Sequence, residues 1–213
     1  KPNSATNYFL SARPELGLTE NLNIGLDIQF SRKGYNFDIG YRGKIKNFLQ
    51  FDISGFYLQY NNRVGVVTPN GSNYRLITNV GASTSKGIES YLEFNPARAF
   101  NAPTPFDLIV FSSYGYTDAR YSGNHKDANT KGKRVENAPE HIMRAGITAG
   151  YKKWLFTWQY SHVGQAFSDA NNTLTPTANG NNGLIPAYNI TDITLTYKMN
   201  NKFNIKSGLN NLF

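Results

Sequence analysis

The chain has 213 residues and a formal net charge of +8, from 22 Lys+Arg against 14 Asp+Glu, and it contains no cysteine. The length fits one sizeable domain, and the missing cysteine excludes a disulfide framework, a thiolate metal site and a cysteine nucleophile. Charged residues are 17% of the chain, too few for a disordered polyelectrolyte, while 27 Asn, 19 Gly, 14 Tyr and 14 Phe favour turns and strands over helices.

An all-β protein with long polar loops is therefore expected. The longest uninterrupted aliphatic or aromatic run, Leu108–Phe111, falls far short of the ~18 residues a membrane-spanning helix needs. The chain opens at Lys1-Pro2-Asn3 without an apolar signal region, as a mature form or an internal fragment would. A pI of about 9.5 would permit nucleic-acid or anionic-lipid binding, but no clustered arginine stripe accompanies it, so no nucleic-acid partner is expected.

In chain order, apolar residues alternate with polar or small ones, the mark of a strand with two unlike faces. Residues 1–30 read as a hairpin turning near Leu18-Thr19-Glu20-Asn21, with Ile24, Leu26, Ile28 and Phe30 opposing Asn23, Gly25, Asp27 and Gln29. Phe30 and Tyr35 stand so close in sequence that a long stretch is expected to be absent between them. A strand over 34–45 turns through Lys46-Asn47 into another over 48–60, and a long loop, 61–84, follows. The strand over 86–95 passes a link containing Pro96, Pro103 and Pro105 into 105–117, and a second long loop runs 118–138. Pro139 opens a strand to 151, Lys152-Lys153 turns it into 154–163, and the third long loop is 164–185. Pro186 opens the strand to 198, which turns at Met199-Asn200-Asn201 into 202–213. This makes about nine strands, several of them longer than the usual ~5–6 residues.

Connections that alternate between short and long are what an outer-membrane barrel shows, with tight turns at one end and extended loops at the other. A soluble sandwich or lipocalin-like barrel is the alternative on pattern alone. The mean hydropathy of −0.48 does not oppose the membrane reading, because only half of each spanning strand faces lipid. Trp154 and Trp158 then serve as lipid-interface anchors. Catalytic groupings are not expected: His125, His141 and His162 lack metal-ligand spacing, and Ser161 and His162 are strand neighbours that point to opposite faces.

Tyr35-Asn36-Phe37-Asp38-Ile39-Gly40-Tyr41-Arg42-Gly43 and Ser54-Gly55-Phe56-Tyr57-Leu58-Gln59-Tyr60-Asn61-Asn62, the first two of seven such stretches in order over residues 35–213, resemble the "N-(aromatic)-E/D-x-G-x-R-G" strand opening and the "F-Y-x-x-Y-x-N" strand end of one family, the TonB-dependent outer-membrane receptors, and in particular of its ferric-citrate-receptor-like branch. Asn79 to Glu93, with Gly87-Ile88-Glu89, is similar to its "N-x-G-x-x-x-x-G-hydrophobic-E" strand, and Tyr114-Gly115-Tyr116-Thr117-Asp118-Ala119 to "Y-x-Y-T-D-A". Gly132 to His141 resembles "G-x-x-(h)-x-x-A-P-x-H". Phe167-Ser168-Asp169-Ala170-Asn171-Asn172-Thr173, followed by Gly183-Leu184-Ile185-Pro186-Ala187-Tyr188, resembles "F-S/T-D-x-x-N-T … G-x-I-P-x-Y". Gly208-Leu209-Asn210-Asn211-Leu212-Phe213 is similar to "G-(h)-x-N-L-F".

The resemblance implies a transmembrane β-barrel of roughly twenty-two antiparallel strands around a plug. Residues 31–213 would supply C-terminal strands, and 1–30 an earlier hairpin. It further implies a non-enzymatic receptor in the outer membrane of a Gram-negative bacterium, importing a ferric siderophore of citrate or carboxylate type. Energy would come from the TonB–ExbB–ExbD complex acting through the plug, and lipid and lipopolysaccharide would surround the wall. Iron would arrive within its chelator, so no resident cofactor or metal is expected. The other function left open is a small self-contained barrel, a porin-like channel or structural protein, which would close on itself with an even strand count. For an anionic chelate the candidate ligands are the bases of the long loops: Arg63 and Arg75 in the first, and Arg120, His125, Lys126, Lys131, Lys133 and Arg134 in the second. The same bases would serve equally to meet lipopolysaccharide phosphates or to solvate a loop. The third loop, with Asp169 its sole charge, offers Gln165, Asn171, Asn172 and Asn181 as neutral hydrogen-bonding groups, Gln165 being the ligand candidate among them.

Overall fold

A computed structural model of the chain describes residues 9–12, 14–19, 21–31, 34–67, 74, 76–102, 105–123 and 129–212. The strands are β1 (Phe9–Ala12), β2 (Glu15–Thr19), β3 (Leu22–Ser31), β4 (Gly34–Ile45), β5 (Leu49–Val67), β6 (Leu76–Phe94), β7 (Phe106–Tyr121), β8 (His141–Tyr151), β9 (Trp154–Val163), β10 (Ala166–Phe167), β11 (Leu184–Ile185), β12 (Tyr188–Lys198) and β13 (Asn204–Leu209). The one helical element among the described residues is α1 (Pro96–Ala99). All strands but β10 and β11 form a single eleven-stranded antiparallel sheet in chain order.

β1 and β2 are one interrupted run along β3, because Ala12 faces Ile28 and Glu15 faces Gly25 in an unbroken register. The interruption falls at Pro14: Leu26 N–H donates to its carbonyl at 3.1 Å, but proline has no N–H to return the bond. The run meets β3 as a hairpin at Thr19 and Leu22. β3 and β4 pair up to Ser31 opposite Gly34, so the suspected gap corresponds to a two-residue connection, Arg32-Lys33, which lies outside the described residues. The tight turns elsewhere use left-handed backbone at Lys46 (φ 48) and Lys152 (φ 54). In the link between β6 and β7, Asn95 caps α1 by accepting from Arg98 N–H at 2.8 Å. Arg98 and Asn95 both bond the Asp107 carboxylate, at 3.1 and 2.6 Å.

Residues opposite one another share a face, so one rung can be followed across the sheet: Asp27, Asp38, Phe56, Gly87, Thr117. That face is concave and polar, enclosing about 800 Å³ bordered by Asp38, Arg42, Asp52, Glu89 and Arg144. The other face carries Ile39, Ile53, Ile88, Leu195 and Leu209, all exposed. Exposed apolar side chains along the strands of a convex face are what a wall in lipid requires and what a soluble sandwich, whose apolar faces meet, excludes. No described helix is long and apolar enough to cross a membrane; the crossing is made by strands. Trp154 stands beside the Lys152-Lys153 turn, 4.6 Å from the Tyr197 ring, as an interface anchor would. Trp158 instead lies mid-strand between Ile147 and Ile193, inside the apolar band.

The sheet does not close. Among the described residues β13 pairs only with β12, and β1 and β2 only with β3, so the small self-contained barrel is not what this chain forms.

The first of the expected long loops is largely strand. β5 and β6 have 19 residues each and claim most of 61–84, leaving only 68–75 between them. The inward residues there, Val67 and Val80, are buried by other connections, which is why pairing continues beyond the point where lipid ends. β7 likewise runs to Tyr121, and 164–185 contains the β10–β11 pair.

Candidate functional site

The long connections meet at one end of the wall and fold into a cap with its own apolar core. Val67 of β5, Val80 of β6, Ala119 and Tyr121 of β7, Val135 and Ala170 are buried together. Residues 132–135 return alongside β7: Gly132 N–H donates to Tyr121 O at 2.8 Å, Tyr121 N–H to Lys133 O at 2.9 Å, and Val135 N–H to Ala119 O at 3.0 Å. Thr130 Oγ1 anchors the start of this return by donating to Val80 O at 2.7 Å.

The third connection is a folded lobe rather than an open loop. Ala166 faces Ile185 and Phe167 faces Leu184. Asp169, 1% exposed, organises the turn by accepting from Asn171 N–H at 2.9 Å, Thr173 Oγ1 at 3.1 Å and Gly183 N–H at 3.3 Å.

Arg63 enters through a bulge. The register slips between Tyr60 and Arg63, with Asn62 at φ 56, and this turns Arg63 inward opposite Gly81. Its Nε is buried with no hydrogen-bond partner. Beside it the buried Tyr121 hydroxyl donates to the Glu136 carboxylate. Burial first, then that carboxylate, push the Tyr121 phenol well above its ordinary range, while the Arg63 guanidinium pulls the other way. The phenol thus stays protonated, and remains a donor, at any physiological pH.

Gly65 provides the room for this group. A Cβ there would lie 2.7 Å from Val80 Cγ2, 2.8 Å from Glu136 Oε1 and 3.2 Å from Tyr121 Oη. Gly65→Ala is expected to push Glu136 and its segment off the wall at a cost of about 1–3 kcal/mol. In the folded protein, trypsin should then cut at Lys131 and Lys133 faster than in the parent; an unchanged rate would refute the close fit.

The remaining candidates divide. Arg120 is exposed and paired with Asp118 at 2.7 Å, and it also donates to Gly132 O at 3.3 Å. Arg134 is ion-paired with Glu140. Lys131 and Gln165 are exposed and Lys133 is half-buried. Arg75, His125 and Lys126 lie outside the described residues. The structure therefore draws Arg63 into a group with Tyr121 and Glu136 and sets Arg120 across a rung from Arg134. Gln165 joins neither group.

Sequence reasoning did not single out Tyr121, Glu136 or the structural role of Asp169. Their only signal is that Glu136 and Asp169 sit inside the two loop stretches quoted above. Of the histidines, His141 bonds Tyr114 at 2.8 Å and His162 bonds Asn189 at 2.7 Å. Among the described residues no three His, Asp or Glu stand together as metal ligands would.

A sheet polar on its concave face and apolar on its convex face, with tight turns at one end and folded connections at the other, is wall from an outer-membrane-type barrel. The chain belongs to the TonB-dependent receptor-like β-barrel family, whose model matches residues 2–212. Solved structures share its fold. The unliganded ferric citrate transporter FecA has a TM-score of 0.79 at 19% identity, over 96% of this chain and 33% of that one. The ferric yersiniabactin uptake receptor FyuA from Yersinia pestis has 0.66 at 15%, over 96% and 32%. The copper transporter OprC has 0.66 at 13%, over 97% and 34%. The chain thus spans about a third of the length of these proteins.

Proposed function

We propose that this chain forms part of the wall and outer vestibule of a TonB-dependent receptor in a Gram-negative outer membrane, importing a ferric siderophore of citrate or carboxylate type. The observation that carries the reading is the open sheet: with edges at β1–β2 and β13 that pair with nothing further among the described residues, the wall requires further strands, and an exposed edge in lipid is not viable. A large barrel has a lumen wide enough for a plug, and the polar concave face suits one. The names of FecA and FyuA support an iron chelate as cargo, and OprC marks the competing cargo, copper.

The citrate-type assignment rests on the loop motifs and on the bases at the vestibule. Lys131 and Lys133 would draw in and hydrogen-bond carboxylates, while Arg63, its Nε buried beside Tyr121 and Glu136, would add to the positive field. Arg75, His125, Lys126 and Gln165 stand as further candidates on sequence alone. Arg120 and Arg134 already serve Asp118 and Glu140 and contribute less. The TonB–ExbB–ExbD complex would supply energy through the plug, and the bound iron is cargo. Lipid and lipopolysaccharide would cover the convex face.

Uptake of radiolabelled iron tests this. In cells whose only outer-membrane iron route is the full-length receptor, ferric citrate should be imported in a TonB-dependent manner, with binding that weakens as salt rises. Import of a neutral chelate or of copper with no import of ferric citrate would overturn it.

A further inference from the structure

We propose that Asn172 ties the second and third long connections into a single body, so that they open and close together. The inference stands whatever the cargo is.

The geometry begins with Arg134. It lies opposite Arg120 in an isolated antiparallel bridge, flanked by the Tyr121-to-Lys133 and Val135-to-Ala119 bonds. In such a rung the residue's own N–H and C=O point away from the neighbouring strand. Asn172 meets both. Arg134 N–H donates to its Oδ1 at 2.6 Å, and its Nδ2 donates to Arg134 O at 2.8 Å. One side-chain amide thereby does the work of a further strand, contributed by the third connection to the edge of the second.

The tie is reinforced on both sides. Asn137 N–H donates to Phe167 O at 2.7 Å, and Ala170 N–H to Val66 O at 3.4 Å. Ala170, fully buried, is the lobe's share of the common core. If the lobe lifts away alone, Arg134 N–H and C=O, Asn137 N–H and the Ala170 contacts all lose their partners at once. Moving both connections together keeps the Arg134 and Asn137 bonds and gives up instead the bonds that hold Thr130 to Val80 and 132–135 to β7, so neither connection leaves the wall without straining the other. Asn172 also suits the position by conformation: its φ of 54 is left-handed, tolerated by Asn, Asp and Gly and strained for other residues.

That backbone dictates the test. Asn172→Gly keeps the left-handed conformation and removes only the amide. Asn172→Asp keeps the conformation and the acceptor for Arg134 N–H, but sets a carboxylate oxygen against Arg134 O until it is protonated. Hydrogen exchange would be followed by mass spectrometry on the full-length receptor in detergent. For Asn172→Gly, amides in 129–138 and 166–185 should exchange faster together, by about tenfold, with the β8–β9 peptides unchanged. Asn172→Asp should recover protection in both segments as pH falls through the carboxyl range, after correction for intrinsic rates, and Asn172→Gly should not. Acceleration confined to 166–185, or absent from both, overturns the proposal.

A measurement with Asn172 in place guards against variants that do not fold. Asn129→Cys and Thr175→Cys, both at exposed positions in a stretch of 213 residues without cysteine, take spin labels once any cysteine elsewhere in the receptor is replaced by serine. One narrow distance distribution is expected; a broad or two-peaked one means independent loops and overturns the coupling.

Discussion

Ile53→Arg is expected to destabilise the receptor in lipid by about 2–4 kcal/mol, the range for a cation near the midplane of a barrel's outer face. Ile53 is 54% exposed on the convex face, opposite Tyr41 on one side and Ser90 on the other, and neither neighbour offers a carboxylate to a guanidinium. Ser54 is the informative control. It sits one residue on, opposite Gly40 and Glu89 on the concave face, where an arginine finds water and a carboxylate. Because the strand period is two, a single step in sequence moves the charge from lipid to lumen. Urea titration in lipid vesicles, read by heat-modifiable gel mobility, measures both. Equal losses at the two positions would mean that the faces have been assigned wrongly.

The second large effect concerns close approach within the sheet. Gly146 lies directly opposite Phe111, and the ring covers it: a Cβ would stand 2.5 Å from Phe111 Cζ and 2.6 Å from Trp158 O. Gly87 repeats the arrangement, with the Phe56 ring 2.8 Å from its would-be Cβ. An aromatic ring laid over a cross-strand glycine supplies the packing that the glycine lacks. Gly146→Ala should cost about 1–3 kcal/mol in the same titration, since the ring can swing away but the Trp158 carbonyl belongs to the neighbouring strand. Phe111→Leu in that background should restore only part of the loss. Gly25→Ala, with nothing within 4 Å of the new methyl, should stay within about 0.5 kcal/mol of the parent. A neutral Gly146→Ala would mean that these strands are spaced more widely than the pairing requires.

The wall was readable because its rule is local. Alternation in stretches such as Met143 to Tyr151 states which side chains meet lipid without reference to any other strand, and Lys152-Lys153 marks its turn. The cap obeys no such rule. Residues 61–67 and 76–84 read as loop because Gly65, Val67 and Val80 are covered by residues about 40 to 105 positions further on, Glu136 and Ala170 among them. Among the candidate bases, the pairing of Arg120 with Asp118 was open to inspection, since positions two apart on a strand share a face. The pairing of Arg134 with Glu140 spans a turn and was not. The meeting of Arg63, Tyr121 and Glu136 requires a bulge at Asn62 and the return of 132–135 along β7, neither of which leaves a periodic trace. Asn172 was visible as part of a motif, yet its role depends on which carbonyl it faces.

β5 and β6 are each 19 residues long, whereas crossing a bilayer takes roughly 9–11. At ~3.3 Å per residue the surplus carries their tips up to about 30 Å clear of the hydrocarbon, less whatever tilt removes. What a large particle approaching the cell meets first is therefore a hydrogen-bonded ribbon with two other segments folded against it. The surface on view is discontinuous in sequence, and a binder shaped to it recognises the fold and finds nothing to hold on the denatured chain.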